Sequence, residues 1–296
     1  CAGGAVSGAA VEGQEARRLH VVIVADTADE QVGELVNLDG RRIYELLVDE
    51  IPAVRRGLIK VIRGQEVSAA NIMDHIRGLD IAGDESLFVY FTGHGAYVRD
   101  RGQVLRMGNG ELLGRAELLS LMRSKGAQLT ILITDACSNV VEQAEYPKMA
   151  YSLVDGLDHD VCRYLFFRHR GVVDIHAASP GEEAVALHGV GSIFSDVLIE
   201  HLEMANAMFH RQPITWRQVM AMVVKTTEER FKSQRDADPD FRVLFPNQTS
   251  QTPKVGSLAE PIPTPLPKVP WRLGIKGAAA GGNGVRATEV FPDSQA

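Results

Sequence analysis

The chain has little cysteine, no long apolar run and no excess of positive charge. Its three cysteines are too few for a disulfide framework, and at most one bridge can form if one thiol stays free to react. No run of about 18 apolar residues is present, so the sequence predicts no membrane span. The net charge of −7 argues against a general nucleic-acid binder, which needs a basic face. These absences exclude three broad classes and leave a globular chain.

The remaining composition is ordinary for a globular protein, with 45% hydrophobic and 23% charged residues. The 296 residues suffice for one domain of about 230 residues and a tail. We expect residues 1–18 to form a flexible tether, because its opening stretch is nearly all small residues. A mature bacterial lipoprotein begins in the same way, which makes Cys1 a candidate lipid anchor. We favour a truncated chain instead. The cellular location, bacterial cytoplasm or cell envelope, is left open.

Two short apolar runs each end in a chemically reactive residue. The run Leu87–Phe91 is followed at once by Thr92–Gly95, and Leu129–Ile133 is followed by Thr134–Cys137. Such runs are typical of strands buried on both faces of a sheet. At the carboxyl edge of an open parallel sheet, where ligands bind, the imidazole of His94 and the thiol of the second motif would face each other.

A thiol beside an imidazole is a known chemical device. The imidazole favours ionisation of the thiol, and the thiolate is the nucleophile. Taken singly, Cys137 is expected to be a small buried hydrophobe and His94 a satisfied polar residue. Both residues after strand ends, in this order, favour nucleophilic catalysis instead.

The rest of the chain alternates between patterns typical of strands and of helices. Further strands are predicted over Leu19–Ala25, Leu58–Ile62, Val172–Ala178 and Arg242–Phe245, with a hairpin arm over Gln103–Arg106. Helices are predicted after the N-caps Asp39 and Ser68, around Leu118–Met122 and Ile193–Leu202, and after a capping box of Thr215 and Gln218. This alternation predicts right-handed crossovers and a parallel sheet.

The segments Tyr90–Gly95 and Asp135–Ser138 resemble the paired motifs of caspase-like cysteine peptidases. The similarity is greater to metacaspases and their bacterial relatives, although Asn139 stands where that family often has glycine. It covers about residues 19–250. The resemblance implies an α/β fold, a three-layer αβα sandwich with a mostly parallel six-stranded sheet, and cysteine endopeptidase activity on protein or peptide substrates.

The resemblance also implies roles for the two reactive residues. Cys137 would attack the peptide carbonyl to give a thioester acyl-enzyme, with His94 as general base and then general acid. The family works with this dyad, so a third catalytic residue is not required. The backbone N–H groups of Gly95 and Cys137 are the expected donors to the developing oxyanion.

Acidic residues set the expected substrate preference. In metacaspases the residue that matches Asp135 lines the pocket for the side chain preceding the scissile bond, and Thr92 matches another pocket position. We interpret Asp26, at the end of the first strand, as the second pocket acid, with a solvated loop acid as the alternative. Two carboxylates in a recess favour a guanidinium or ammonium, so cleavage after Arg or Lys is expected.

Neither a metal nor a cofactor is predicted. Many metacaspases bind calcium after the histidine motif, but the loop here offers only Asp100, Asn109 and Glu111 among arginines. Residues 142–170 have no clear period and correspond to the mobile, often cleaved linker of caspase-like enzymes. Lys148 is the first candidate for self-cleavage there. His176 and His188 flank the loop after the fifth strand and are expected to edge the substrate cleft.

The carboxyl-terminal part divides into a linker and a short segment. Residues 251–270 are rich in proline, which predicts an extended, semi-rigid linker. Residues 271–296 resemble the opening of a PDZ domain, with Leu273–Ile275 in the position of its carboxylate-binding loop. A two-stranded stub cannot bury its own core, so we favour a longer full-length protein over packing on the catalytic domain.

Two other functions are consistent with the sequence. One is a catalytically silent caspase-like interaction module coupled to a PDZ domain, which the intact His94 and Cys137 argue against. The other is a hydrolase that uses Cys137 on non-peptide acyl substrates. Labelling by an arginyl chloromethyl ketone separates a peptidase from the silent module.

Overall fold

The computed structural model describes residues 14–98, 101–141, 160–209, 214–262, 275–280 and 284–290. The described residues between positions 14 and 262 belong to one compact unit, and the hairpin within 275–290 belongs to a second. Among the described residues, none of the helices is both long enough and apolar enough to span a bilayer.

Strands and helices alternate through the first unit. The strands are β1 Leu19–Ala25, β2 Arg56–Arg63, β3 Ser86–Val98, β4 Gly102–Arg106, β5 Leu112–Gly114, β6 Leu129–Val141, β7 His169–His176, β8 Ala184–Leu187, β9 Gly191–Ser192, β10 Lys254–Ser257 and β11 Glu260–Pro261. The helices are α1 Gly33–Glu50, α2 Ala69–Gly78, α3 Arg115–Ser124, α4 Asp160–Phe167, α5 Ile193–Phe209, α6 Trp216–Ala237 and α7 Pro239–Leu244.

The central sheet has the strand order β10-β7-β6-β3-β1-β2. Strands β2, β1, β3, β6 and β7 run parallel, and β10 is antiparallel to β7. Strands β4 and β5 continue from β3 as an antiparallel arm, which includes the predicted hairpin over Gln103–Arg106. The predicted α/β fold with a mostly parallel six-stranded sheet is confirmed.

Helices cover both faces of this sheet and give three layers. On one face, α1 and α4–α7 pack on strand residues that include Ile23, Phe88 and Ile131. On the other face, α2 and α3 pack on the alternate residues, such as Val24 and Val89. The faces separate because successive strand side chains point to opposite sides. We call them the α1 face and the α3 face.

Two predicted helix starts are confirmed by their caps. Ser68 Oγ accepts a hydrogen bond from the Asn71 N–H at 3.1 Å, at the start of α2. Thr215 and Gln218 form the predicted capping box of α6, in which the Thr215 N–H donates to Gln218 Oε1 at 2.8 Å. The third predicted cap is wrong, because α1 begins at Gly33 and Asp39 lies inside it, fully buried.

The sixth strand is not the predicted one. Residues Arg242–Phe245 were expected to be a strand, but α7 begins after an Asp238 cap and buries Phe241 together with Phe245, four residues later. The sixth strand is β10, within the segment expected to be linker, and β11 also pairs with β7. The unit therefore extends to Ile262, beyond the expected boundary at residue 250.

The second unit is described through one antiparallel hairpin. It consists of β12 Ile275–Ala280 and β13 Gly284–Val290, and Ile275 pairs with Val290. Leu273 and Gly274, in the predicted carboxylate-binding loop, lie outside the described residues. The resemblance of this segment to a PDZ domain stays a prediction.

Candidate active site

The two motifs meet where strands exchange partners. Strands β3 and β6 share pairs up to Gly93 with Ala136, and the next residues are His94 and Cys137. From His94 onward β3 pairs with β4, and from Cys137 onward β6 pairs with β8. The motifs were expected just past the strand ends, but β3 and β6 continue to Val98 and Val141. The divergence of the two strands creates the crevice that a simple strand end was expected to provide.

Close approach of the two strands explains the glycine after the histidine. A Cβ on Gly95 would lie 2.5 Å from the Cβ of Ala136, a separation that real carbon atoms do not adopt. A side chain at this position would therefore push β3 and β6 apart beside His94 and Cys137. The described part of Cys137 is its backbone, which pairs with Ala184 of β8.

The imidazole of His94 is held by an acid that the sequence analysis did not single out. His94 is 6% exposed, and its Nε2 lies 3.2 Å from Asp29 Oδ1. Burial would raise the pKa of Asp29, but the backbone N–H groups of Gln31 and Val32 and the His94 imidazole outweigh it and lower that pKa. Asp29 is therefore ionised at neutral pH and fixes the orientation of the imidazole. Asp29 lies three residues after Asp26, and the sequence alone does not distinguish the roles of the two acids.

Asp135 lies at the centre of a buried polar group on the α1 face. It is fully buried and pairs across the sheet with Thr92, which is also fully buried. The Ser195 hydroxyl donates to Asp135 Oδ2 at 2.5 Å. Because that proton is committed, the Tyr90 hydroxyl, also 2.5 Å from Ser195 Oγ, is the donor in the second contact. The structure thus brings together the predicted pocket residues Thr92 and Asp135.

Asp39 supplies a second carboxylate to this group. It is fully buried, and both of its oxygens accept from the Ser192 N–H, at 3.1 and 3.2 Å. Burial and the charge of Asp135 raise the pKa of Asp39 well above its usual value, against the effects of the Ser192 N–H and Arg42. We call Asp39, Tyr90, Asp135, Ser192 and Ser195 the Asp135 cluster.

The spacing of Asp39 along α1 indicates that its side chain faces the core. Val36, Asp39 and Ile43 follow helical spacing and are all buried, so the acid lies on the inward stripe of α1. A Cβ on Gly191, which has φ of +92°, would collide with Asp39 Oδ1. The turn before α5 is therefore shaped around this carboxylate.

Asp26 lies elsewhere. It is buried, but its Cβ is 3.2 Å from where a Cβ on Gly93 would stand, on the α3 face. Burial and the nearby Asp29 charge raise the pKa of Asp26, while the Gly108 N–H opposes them. The structure does not bring Asp26 together with Asp135.

Comparison with known proteins identifies the architecture. No family model and no curated protein sequence matches the chain. A solved structure, caspase-1 from Spodoptera frugiperda, superposes with a TM-score of 0.54 at 14% sequence identity, covering 82% of this chain and 90% of that one. The chain has a caspase-like fold. At this identity the likeness concerns the fold alone.

Beside the site, the caspase-like domain carries an open cleft of about 350 Å³ on the α3 face. Gly95, Ala136 and His176 line it. His188 is exposed and is not among the residues that line it. Burial and, next, the Arg115 charge lower the pKa of His176 to about 3, so this imidazole is neutral at neutral pH.

The loop residues considered for calcium have local partners in this caspase-like domain. Glu111 Oε2 accepts from the Ala69 N–H at 2.8 Å, and Asn109 Oδ1 accepts from the Glu111 N–H at 3.0 Å. Asp100 lies outside the described residues, as does Lys148. Within the described ranges, no three His, Cys, Asp or Glu side chains cluster as metal ligands would.

Proposed function

We propose that this protein is a cysteine endopeptidase that uses His94 and Cys137 and cleaves after Arg or Lys. One observation carries the proposal: His94 and Cys137 directly follow the last residue pair shared by β3 and β6, in a caspase-like fold. A histidine and a cysteine at adjacent positions of neighbouring parallel strands support activation of the thiol by the imidazole.

The proposed reaction proceeds through a thioester. With Nε2 held by Asp29, Nδ1 of His94 takes the Cys137 thiol proton, and the sulfur attacks the substrate carbonyl carbon. The backbone N–H groups of Gly95 and Cys137 would stabilise the oxyanion. His94 then returns the proton to the leaving amine as the peptide bond breaks. Finally His94 activates a water, which hydrolyses the thioester and releases the acid and the thiol.

Buried carboxylates support the preference for a basic residue before the scissile bond. Asp135 lies two residues before the nucleophile, and Asp39 shares its buried environment. Bringing two carboxylates together away from water is unfavourable, and a bound guanidinium or ammonium would relieve that repulsion. We therefore assign the pocket to Asp39, Thr92 and Asp135. The role predicted for Asp26 gains no support, because its side chain lies on the α3 face.

A labelling experiment tests the proposed dyad. An arginyl chloromethyl ketone should alkylate Cys137, located by peptide mass mapping, and Cys137→Ala should abolish both labelling and peptide hydrolysis. His94→Ala should also abolish both. Cys162 serves as an internal control, because burial raises the pKa of its thiol well above the usual value and keeps it unreactive. Hydrolysis that survives in Cys137→Ala contradicts the proposal, and a wild type without label favours the silent interaction module.

Self-cleavage at Lys148 is a further part of the proposal. The basic side chain suits the pocket. Of the other basic residues in the segment, Arg163, Arg168 and Arg170, the first two are ion-paired to Glu15. Intact-mass analysis of the wild type beside Cys137→Ala should show a cut after Lys148 in the wild type only. If the wild type cleaves Arg substrates while its chain stays uncut, activity does not depend on this processing.

A further inference from the structure

A buried guanidinium lies on the α3 face, opposite the Asp135 cluster. Arg115 is 4% exposed and opens α3. Its Nε donates to Thr134 Oγ1 at 2.8 Å, and its Nη2 donates to the carbonyls of Ile175, at 2.9 Å, and Leu132, at 3.3 Å. Its Nη1 forms an ion pair with Asp174. One side chain thus bonds to both β6 and β7.

These bonds lie just before the point where β6 leaves β7. The last pair shared by the two strands is Thr134 with His176, and β6 then passes through Asp135 and Ala136 to Cys137. The direction in which β6 leaves the sheet toward Cys137 therefore depends on how this point of divergence is held in place. Arg115 bonds the Thr134 side chain and, on β7, the carbonyl of Ile175, which precedes His176.

Arg115 is attached, along the chain, to the part of the molecule that carries the histidine. Strand β3 turns at His94 into the β4–β5 arm, and β5 ends at Gly114, directly before Arg115. A second link joins the same arm to β7, because the His176 Nδ1–H donates to Gln103 Oε1 of β4. We call the β4–β5 arm the histidine arm and the point where β6 leaves β7 the β6–β7 fork. The two are joined through the polar contacts of Arg115 and His176.

We propose that Arg115 is a positioning residue that sets the separation of His94 and Cys137 by fixing the histidine arm to the β6–β7 fork. This inference rests on the proposed function. Arginine suits the task because its planar group offers five donors in fixed directions, whereas lysine presents a single nitrogen. The charge of Asp174 balances the guanidinium, so burial does not require another partner.

The test compares two Arg115 variants with a matched arginine far from the site. Arg115→Met removes the donors and keeps the apolar stem, and Arg115→Lys keeps the charge without the planar fork. Arg55→Met is the control, because Arg55 is also a partly buried clamp, bonded to Glu15 at 2.8 Å and to the Ala16 carbonyl at 2.5 Å. It lies beside Ala16, near the amino-terminal end of β1, away from the dyad.

Two readouts are needed, both recorded well below the melting temperature of each variant. For an Arg peptide substrate, kcat should fall on the order of 100-fold in Arg115→Met, because a shift of about 1 Å between reacting groups has that effect. KM should stay within about twofold, because the pocket acids lie on the other face. Arg115→Lys should recover stability but not kcat, and Arg55→Met should lose stability and keep kcat.

The second readout is the pH dependence of Cys137 alkylation by iodoacetamide, which measures pairing of the thiol with His94 without a substrate. Wild type should react at lower pH than His94→Ala, and Arg115→Met should move toward the His94→Ala profile. Full kcat in Arg115→Met, or recovery of kcat by Arg115→Lys, overturns the positioning role while the peptidase stands. Identical alkylation profiles in wild type and His94→Ala, without hydrolysis, overturn the peptidase and the positioning role together.

Discussion

Two buried groups of charge lie on opposite faces of one sheet, a few residues apart on β6, and they are built differently. The Arg115 group balances its charge, because the guanidinium faces Asp174, and the Thr134 hydroxyl and two backbone carbonyls accept further hydrogen bonds from it. The Asp135 cluster brings two carboxylates together, and the Ser192 N–H and the Ser195 hydroxyl donate to them. The charge of Arg42 lowers the pKa of Asp39, but Arg42 is itself ion-paired with Asp196 at 2.7 Å.

This difference fits the roles proposed for the two groups, a positioning contact at Arg115 and a binding pocket at Asp135. A balanced buried pair needs nothing further, and its geometry holds strands in place. A pair of buried like charges is unfavourable for folding, and it is typical of sites where a ligand of opposite charge binds. Arg115 and the two acids of the cluster are all buried, so burial alone does not distinguish the groups, whereas the sign of the charges brought together does.

The largest expected effect comes from breaking the balanced pair. Asp174→Ala would leave the Arg115 guanidinium buried without its carboxylate, which should lower the free energy of unfolding by about 3–5 kcal/mol. Urea denaturation at pH 7 measures this. Asp26→Ala is the control, because burial raises the pKa of Asp26 and this acid forms no ion pair within the part of the chain that the structure describes. Equal losses in the two variants would show that the pair is not special.

The next effect concerns the unbalanced pair. Asp135→Ala should lower kcat/KM for Arg substrates, because the substrate cation loses a buried partner. The loss of transition-state binding should be about 2–5 kcal/mol. Stability should not fall as it does for Asp174→Ala, since a source of like-charge repulsion is removed. A fluorogenic panel in which Asp135→Ala retains full activity, or in which acidic residues are preferred, contradicts the assigned pocket.

The smallest effect is a pH dependence that Asp39 should produce. Its folded pKa is raised above the unfolded value of about 3.9, so the folded state holds the proton more tightly. Stability from this group is therefore present at low pH and declines as pH rises from about 4 toward the folded pKa, by up to about 1.4 kcal/mol per pH unit.

Asp39→Asn removes this dependence while keeping the side-chain volume and an acceptor for the Ser192 N–H. Unfolding free energies at pH 5 and pH 8 should differ less in the variant than in the wild type. If the wild type shows the same difference as Asp39→Asn, the carboxylate does not carry an unfavourable charge in the folded state.

Much of the architecture follows from local pattern. Uninterrupted apolar runs such as Leu87–Phe91 identified central strands, and capping residues such as Thr215 identified helix starts. Local pattern did not predict the sixth strand, because β10 is four residues long and owes its structure to pairing with β7. Phe241 and Phe245 fit one helical face, yet a short apolar segment has no reliable period.

The candidate site, like the fold, could be predicted only as far as local sequence pattern determines it. The positions of His94 and Cys137 depend on sequence order along neighbouring strands, which pattern reveals. The choice among Asp26, Asp29 and Asp39 depends on which face each carboxylate occupies once α1 has packed. That is tertiary information, so Asp26 was placed with Asp135 although Asp39 lies there. Arg115 was not predicted because its partners come from two strands, β6 and β7, that lie far from it in sequence.

The two short strands β10 and β11 determine how this edge of the sheet meets other molecules. They occupy the hydrogen-bonding edge of β7, and their own outer edge is brief, broken by a bulge, and carries Lys254 and Pro261. Short length, lysine and proline are features that prevent strands of different molecules from joining. A segment with the composition of a spacer thus protects the caspase-like domain against edge-to-edge aggregation, and a domain boundary drawn at residue 250 would remove that protection.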